Sequence, residues 1–141
     1  MNTIAENPLA LNEDRVRRST PAHVNERIDR HIEDSVRGYE NASREAIIQR
    51  IHALNTEWDI ERVLEVNAST LALSGMALGV TVSKRWLALP AAVMGFLLLH
   101  GVKGWCPPLP VLRRCGVRTR DEIDKEKYQL LAILAGRNLS D

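Results

Sequence analysis

The sequence predicts an all-α membrane protein, a two-helix transmembrane hairpin flanked by cytoplasmic amphipathic helices, and three observations carry that prediction. The 37 charged residues are unevenly spread: residues 1–65 hold 22 and residues 113–141 hold 12, while residues 66–112 hold only Lys84, Arg85 and Lys103. The two charge-free runs, 66–83 and 86–102, carry Leu, Ala, Val and Gly around every helical face, without the polar stripe of a helix half-exposed on a soluble core. Trp58, Trp86 and Trp105 fall at the ends of these runs, where an amphipathic indole suits the membrane–water boundary.

Composition narrows the function classes. A chain of 141 residues has room for one ordinary domain. A net charge of +1 is too near neutral for a nucleic-acid partner, and two cysteines are too few for a disulfide-built scaffold. With 45% hydrophobic residues the chain is not of the disordered class; its mean hydropathy of −0.20 averages an apolar island with polar flanks.

Residues 1–19 contain no apolar stretch and no cleavable secretory pattern, and read as a disordered tail. Residues 20–58 read as amphipathic helices, cytoplasmic or interfacial. Thr20-Pro21 suggests an N-cap with proline at the first helical position, followed by Val24, Ile28, Ile32, Val36 and Tyr39 on one face until Gly38 weakens the helix. Glu26 with Arg30, and Glu33 with Arg37, have the spacing of helical ion pairs. A second helix over 43–54 places Ile47, Ile51 and Leu54 together, a face suited to a membrane surface. Thr56-Glu57-Trp58-Asp59 then resembles a capping-box restart, and Glu57, Asp59, Glu61, Arg62 and Glu65 read as a hydrated collar before the first span, with a proton- or cation-handling carboxylate cluster as the alternative.

The transmembrane domain is expected over 59–117, with spans of about 64–83 and 86–105. At ~1.5 Å per residue each charge-free run reaches roughly 26 Å, against a hydrocarbon core of about 30 Å. Glu65, Lys84, Arg85 and Lys103 flank the runs and can direct their charges outward. Only Lys84 and Arg85 separate the runs, which dictates a tight antiparallel hairpin with both termini on one side. Arg50, Arg62, Lys103, Arg113, Arg114, Arg118 and Arg120 stand on the terminal side against two cations in the loop, so the positive-inside rule sets both termini in the cytoplasm. Trp58, Arg62, Lys84, Arg85, Trp86, Lys103, Trp105, Arg113 and Arg114 are the expected interface residues.

Small residues recur at four-residue spacing: Ala68 and Ala72, Gly75 and Gly79, Ala88 and Ala92, Ala91 and Gly95. Such ridges let helix backbones touch, either within the hairpin or between copies in a homodimer or higher oligomer. Pro90 lies early in the second span, where a lost backbone hydrogen bond is tolerated near the interface. Pro107, Pro108 and Pro110 stop that helix, and Arg113-Arg114 begins a basic patch suited to anionic headgroups. Within the C-terminal cytoplasmic segment 118–141, Thr119-Arg120-Asp121-Glu122 is a capping box. It opens a helix to about Ala135, with Gly136 past its end and Ile123, Leu130, Ile133 and Leu134 facing the earlier amphipathic pair.

Sites of chemistry are sparse. His23, His31, His52 and His100 lack metal-ligand spacing, Cys106 and Cys115 are not a CxxC pair, and no phosphate-binding glycine loop or nucleophile elbow occurs. No metal, cofactor or enzymatic activity is expected. Cys106 lies at the negative C-terminal end of the second span, which raises a thiol pKa. Packing is its leading role, with a thiol or persulfide role and a Cys106–Cys115 disulfide as alternatives. His100 reads as a headgroup-level or interhelical hydrogen-bonding residue rather than a proton relay.

Glu61-Arg62 before a small-residue-rich span, a tight turn, a second span with Gly95, then Gly104-Trp105-Cys106-Pro107 and Arg114-Cys115-Gly116 together resemble the YgaP-like inner-membrane domain of bacteria. That is a two-helix domain of unknown function. The resemblance covers residues 59–117, about 40% of the chain, and Gly-x-Cys-Pro is its most specific step. It implies a bacterial inner-membrane location, dimerisation through the membrane part with Gly75, Gly79 and Gly95 as packing positions, and Cys106 as the family's cysteine. Some members are fused to a cytoplasmic rhodanese, which implies a sulfurtransferase-type partner. Here the first 60 residues contain no cysteine.

The expected function is that of a small multi-pass inner-membrane protein that anchors, oligomerises or docks a partner. Three alternatives stand beside it: a thiol-handling membrane component using Cys106, a small-anion channel or exporter built from several hairpins around Lys84 or Lys103, and a soluble helical-bundle regulator.

Overall fold

A computed structural model describes residues 15–138. Among them there is no strand; seven helices occur, α1 (Arg15–Arg18), α2 (Ala22–Tyr39), α3 (Arg44–Thr56), α4 (Ile60–Thr81), α5 (Ala88–Lys103), α6 (Leu109–Arg114) and α7 (Arg120–Asn138). Helices α4 and α5 pair through a single 3-10 turn, Lys84–Leu87, and project from a base made by the others.

The base is built from the apolar faces of its amphipathic helices. Ser43 Oγ accepts from the Ala46 N–H at 3.2 Å and starts α3, which buries Ile47 and Leu54 against Ile123 and Leu130 of α7. Tyr39, Ile51, Ile133 and Leu134 close over this cluster. The α3 face expected on a membrane surface is therefore covered by protein, because α7 carries a matching apolar stripe. Along α2, Val24, Ile28 and Ile32 are buried with Val36 beside them.

Several local expectations are corrected. Pro21, not Thr20, holds the N-cap position of α2, without a side-chain cap; the Thr20 hydroxyl instead donates to the Val16 carbonyl at 2.7 Å. Thr56 ends α3, and Asp59 caps α4 by accepting from the Arg62 N–H at 2.9 Å. The break between them is pinned by the Ile60 N–H donating to the Arg118 carbonyl at 2.9 Å. Helix α7 passes through Gly136 to Asn138, its last turn held by Arg137, which donates to the carbonyls of Glu40 and Ala42. The Thr119–Glu122 capping box forms as read: Glu122 N–H donates to Thr119 Oγ1 at 3.3 Å, and Thr119 N–H to Glu122 Oε2 at 2.8 Å.

Of the segment expected to be a disordered tail, residues 1–14 lie outside the described residues, as do residues 139–141 of the C-terminal segment. Residues 15–19 are ordered, correcting that expectation. Val16 is buried with Ile60, Leu64, Cys106 and Leu109, and Ser19 Oγ donates to the Lys103 carbonyl at 3.2 Å. Gly104 makes this possible. It ends α5 at φ 75°, and a Cβ there would lie 2.6 Å from the Arg15 backbone.

The small ridges of the hairpin are used unequally. Leu64, Ala72, Gly75 and Gly79 of α4 are buried, with Ala68 partly so. A Cβ on Gly75 would come within 2.6 Å of Pro90 Cδ, and one on Gly79 within 2.5 Å of Leu87 Cδ2. On α5 the expected packing residues Ala88, Ala91, Ala92 and Gly95 are exposed, and a Cβ on Gly95 would meet nothing within 4 Å. The hairpin closes glycine against leucine and proline, so the second ridge has no part in it.

Candidate functional site

Two features stand out: an uncovered apolar hairpin and a charged base beneath it. Among the described residues of α5 none is buried; Leu98 is 70% exposed, and Val80 of α4 81%. Four polar side chains of α4 turn onto their own helix. Asn67, Thr70, Ser74 and Thr81 each donate to the carbonyl four residues earlier, at 2.7 or 2.8 Å. Lys84 and Arg85 are exposed at the far turn. Trp58, Trp86 and Trp105 are all exposed, and the Arg62 guanidinium stacks 4.5 Å from the Trp58 ring centroid. By length and composition, two helical stretches are apolar enough to cross a membrane, one running through α4 and the other from the 3-10 turn through α5, Lys84–Lys103.

The buried charges of the base fall in two clusters. Arg113 is fully buried and grips Glu122 bidentately, Nη1 to Oε2 at 2.6 Å and Nη2 to Oε1 at 2.8 Å. Its remaining N–H groups reach Asn25 Oδ1 at 2.8 Å, Thr20 Oγ1 at 3.2 Å and the Val117 carbonyl at 3.2 Å. Arg17 also pairs with Glu122, and with Asp29 at 2.7 Å. In the second cluster Arg118 joins Glu57 to the fully buried Glu126, which also accepts from Ser35 Oγ at 2.7 Å and Arg50 Nε at 2.9 Å.

Burial alone would push the Glu122 and Glu126 carboxyls up. The hydrogen bonds from Arg113 and the Thr119 N–H to Glu122, and from Arg118, Ser35 and Arg50 to Glu126, outweigh it and hold both below the ordinary range. Burial likewise opposes the charge of Arg118, but Glu57 and Glu126 overcome it and raise its pKa.

These clusters correct the reading of Arg113 as a headgroup-facing residue: all its donors are engaged within the base, because α6 turns it towards Glu122, while Arg114 beside it is exposed. Sequence reasoning also missed Arg17, Asn25, Glu57, Arg118 and Glu126 as a network. Only the Thr119–Glu122 spacing signalled any of it, since the other partners are joined by the fold.

Cys106 and Cys115 are both free thiols, Cys106 buried and Cys115 exposed. Cys106 is 7% exposed, and burial pushes its thiol up. It borders an apolar groove of about 160 Å³ at the hairpin root, with Leu64, Ala68, Val93, Leu97 and Pro107. His100 shares another cleft with Arg15, Glu61, Glu65 and Gly101. Among the described residues no group of three His, Cys, Asp or Glu side chains is placed to hold a metal ion. No family model, curated protein or solved structure matches the chain. The resemblance to the YgaP-like domain therefore rests on the residues quoted for it.

Proposed function

We propose that this chain is a small integral protein of the bacterial inner membrane, with the α4–α5 hairpin in the bilayer and both termini in the cytoplasm. Its work is anchoring, with self-association or partner docking, rather than catalysis. The observation that carries this reading is the contrast between the two halves. In the base, apolar side chains turn inward and the buried charges are paired; along α5 nothing is buried and Leu, Val, Met and Phe face outward. Contiguous apolar surface on that scale needs a non-aqueous neighbour. The back-bonded hydroxyls and amide of α4 suit a medium with no water to satisfy them.

The orientation rests on the cations near the hairpin root against Lys84 and Arg85 at its turn. The resemblance to the YgaP-like domain supports the same location and suggests a sulfurtransferase-type partner. Cys106 serves as a packing residue in this reading, since a buried thiol with a raised pKa is a poor nucleophile.

The test is fractionation of the untagged full chain after alkaline carbonate and high-speed centrifugation. Recovery in the membrane pellet is the expected result. Recovery in the supernatant overturns the proposal in favour of a soluble bundle that covers α5 with further copies of itself.

A further inference from the structure

The base also carries a cleft of about 450 Å³ whose lining cations are Arg27, Arg50, Arg114 and Arg118, with His31, Glu57 and the exposed Cys115 beside them. Its charge does not cancel. Arg118 pairs with both Glu57 and Glu126, and Arg50 with Glu126, so two guanidiniums answer two carboxylates. Arg27 and Arg114 are left over. Arg27 donates one Nη2–H to the Arg114 carbonyl at 2.8 Å, which ties the two residues together, and among the described residues neither side chain has a carboxylate partner. At one wall Gly116 turns the backbone at φ 88°, and a Cβ there would meet nothing within 4 Å, so the cleft is open on that side.

The lining cations are all arginines. A guanidinium offers a planar fork of donors that matches an oxyanion edge bidentately, whereas an ammonium is a point charge. The volume exceeds that of a bare phosphate and lies in the range of small-ligand pockets. From the surplus charge, the fork chemistry and the volume, we infer that the cleft binds a phosphate-class oxyanion carried on a small organic group, held between Arg27 and Arg114. This holds whether the group is a soluble phosphate ester or the headgroup of an anionic lipid. It is independent of the hairpin lying in lipid.

Cys115 supplies the readout, with buried Cys106 as internal reference. Full-length protein in neutral detergent is alkylated with uncharged iodoacetamide and followed by mass spectrometry, with glycerol 3-phosphate, dihexanoyl phosphatidylglycerol, or chloride at matched ionic strength as probes. The expected result is that a phosphate probe slows alkylation of Cys115 and chloride does not. Protection by glycerol 3-phosphate identifies a soluble ester; protection by the lipid alone identifies a headgroup. Arg114→Gln, at an exposed side chain, should raise the half-protecting concentration about tenfold, the loss that goes with one charge-assisted hydrogen bond. Arg27→Gln should do the same, and Lys84→Gln at the far turn should not. Absence of protection by both phosphate probes, or protection unchanged in Arg114→Gln, overturns the inference.

Discussion

Arg113 joins the segment before α2, α2 itself, the α6–α7 connection and the first turn of α7 through one guanidinium, with Thr20, Asn25, Val117 and Glu122 as its partners. Arg113→Ala leaves Glu122 buried with only Arg17 and the Thr119 N–H, and should destabilise the base by about 3–5 kcal/mol, read as thermal unfolding by circular dichroism. Arg114→Ala next to it should change stability by less than about 0.5 kcal/mol. Equal effects would contradict this account of Arg113. The carboxylates give a pH dependence of definite sign. Glu122 and Glu126 have folded pKa values below their ordinary 4.5, so their contribution is complete above that value and is lost as pH falls through the lower folded values. Thermal stability should thus decline below about pH 4.5, and less steeply in Glu126→Gln; a flat profile would count against paired carboxylates. The sequence makes the Thr119–Glu122 box legible because its partners stand three residues apart. It cannot separate Arg113 from Arg114, adjacent and chemically identical, since two of the partners that distinguish them, Thr20 and Asn25, lie about ninety residues away.

Among the elements, the hairpin shows how helical periodicity reveals a ridge without revealing its neighbour. Gly75-x-x-x-Gly79 and Ala91-x-x-x-Gly95 are equivalent patterns in sequence, yet the first meets Pro90 and Leu87 while the second faces outward. The helices themselves were legible from charge-free runs and apolar spacing. Their caps were less so, because Asp59 and Pro21 took positions that local chemistry assigned to Thr56 and Thr20. The two glycine patterns predict opposite outcomes. Gly75→Leu should force α4 from α5 and destabilise the hairpin by about 1–3 kcal/mol, as overpacking does, with the loss read by thermal unfolding in detergent. Gly95→Leu should leave unfolding unchanged and, if the outer ridge of α5 is where copies meet, weaken self-association measured by energy transfer between labelled chains. Association undiminished in Gly95→Leu would remove that ridge from the proposed oligomer.

At the scale of the molecule, the base and the hairpin ask for different surroundings, and the boundary between them is marked by Glu61, Arg62 and Glu65 on α4 and Lys103 on α5. Beyond it no charge intervenes until Lys84 and Arg85, so in the proposed bilayer arrangement those two cations stand at the opposite interface. Of the seven cations counted on the terminal side, Arg113 and Arg118 are buried in ion pairs of the folded base. That does not weaken the orientation, because charge acts on the chain as it inserts, before the base has folded, and five against two has the same sign in any case. The prediction is specific to two positions. In Ser83→Cys protein an impermeant maleimide should label the introduced thiol in intact cells, and native Cys115, exposed on the base, only in inverted vesicles. Buried Cys106 should lag in both. The reverse pattern would place the base outside the cell and invert the topology. Labelling of both positions at one rate in both preparations would mean that no membrane separates them, leaving the outer face of α5 to be covered by protein instead.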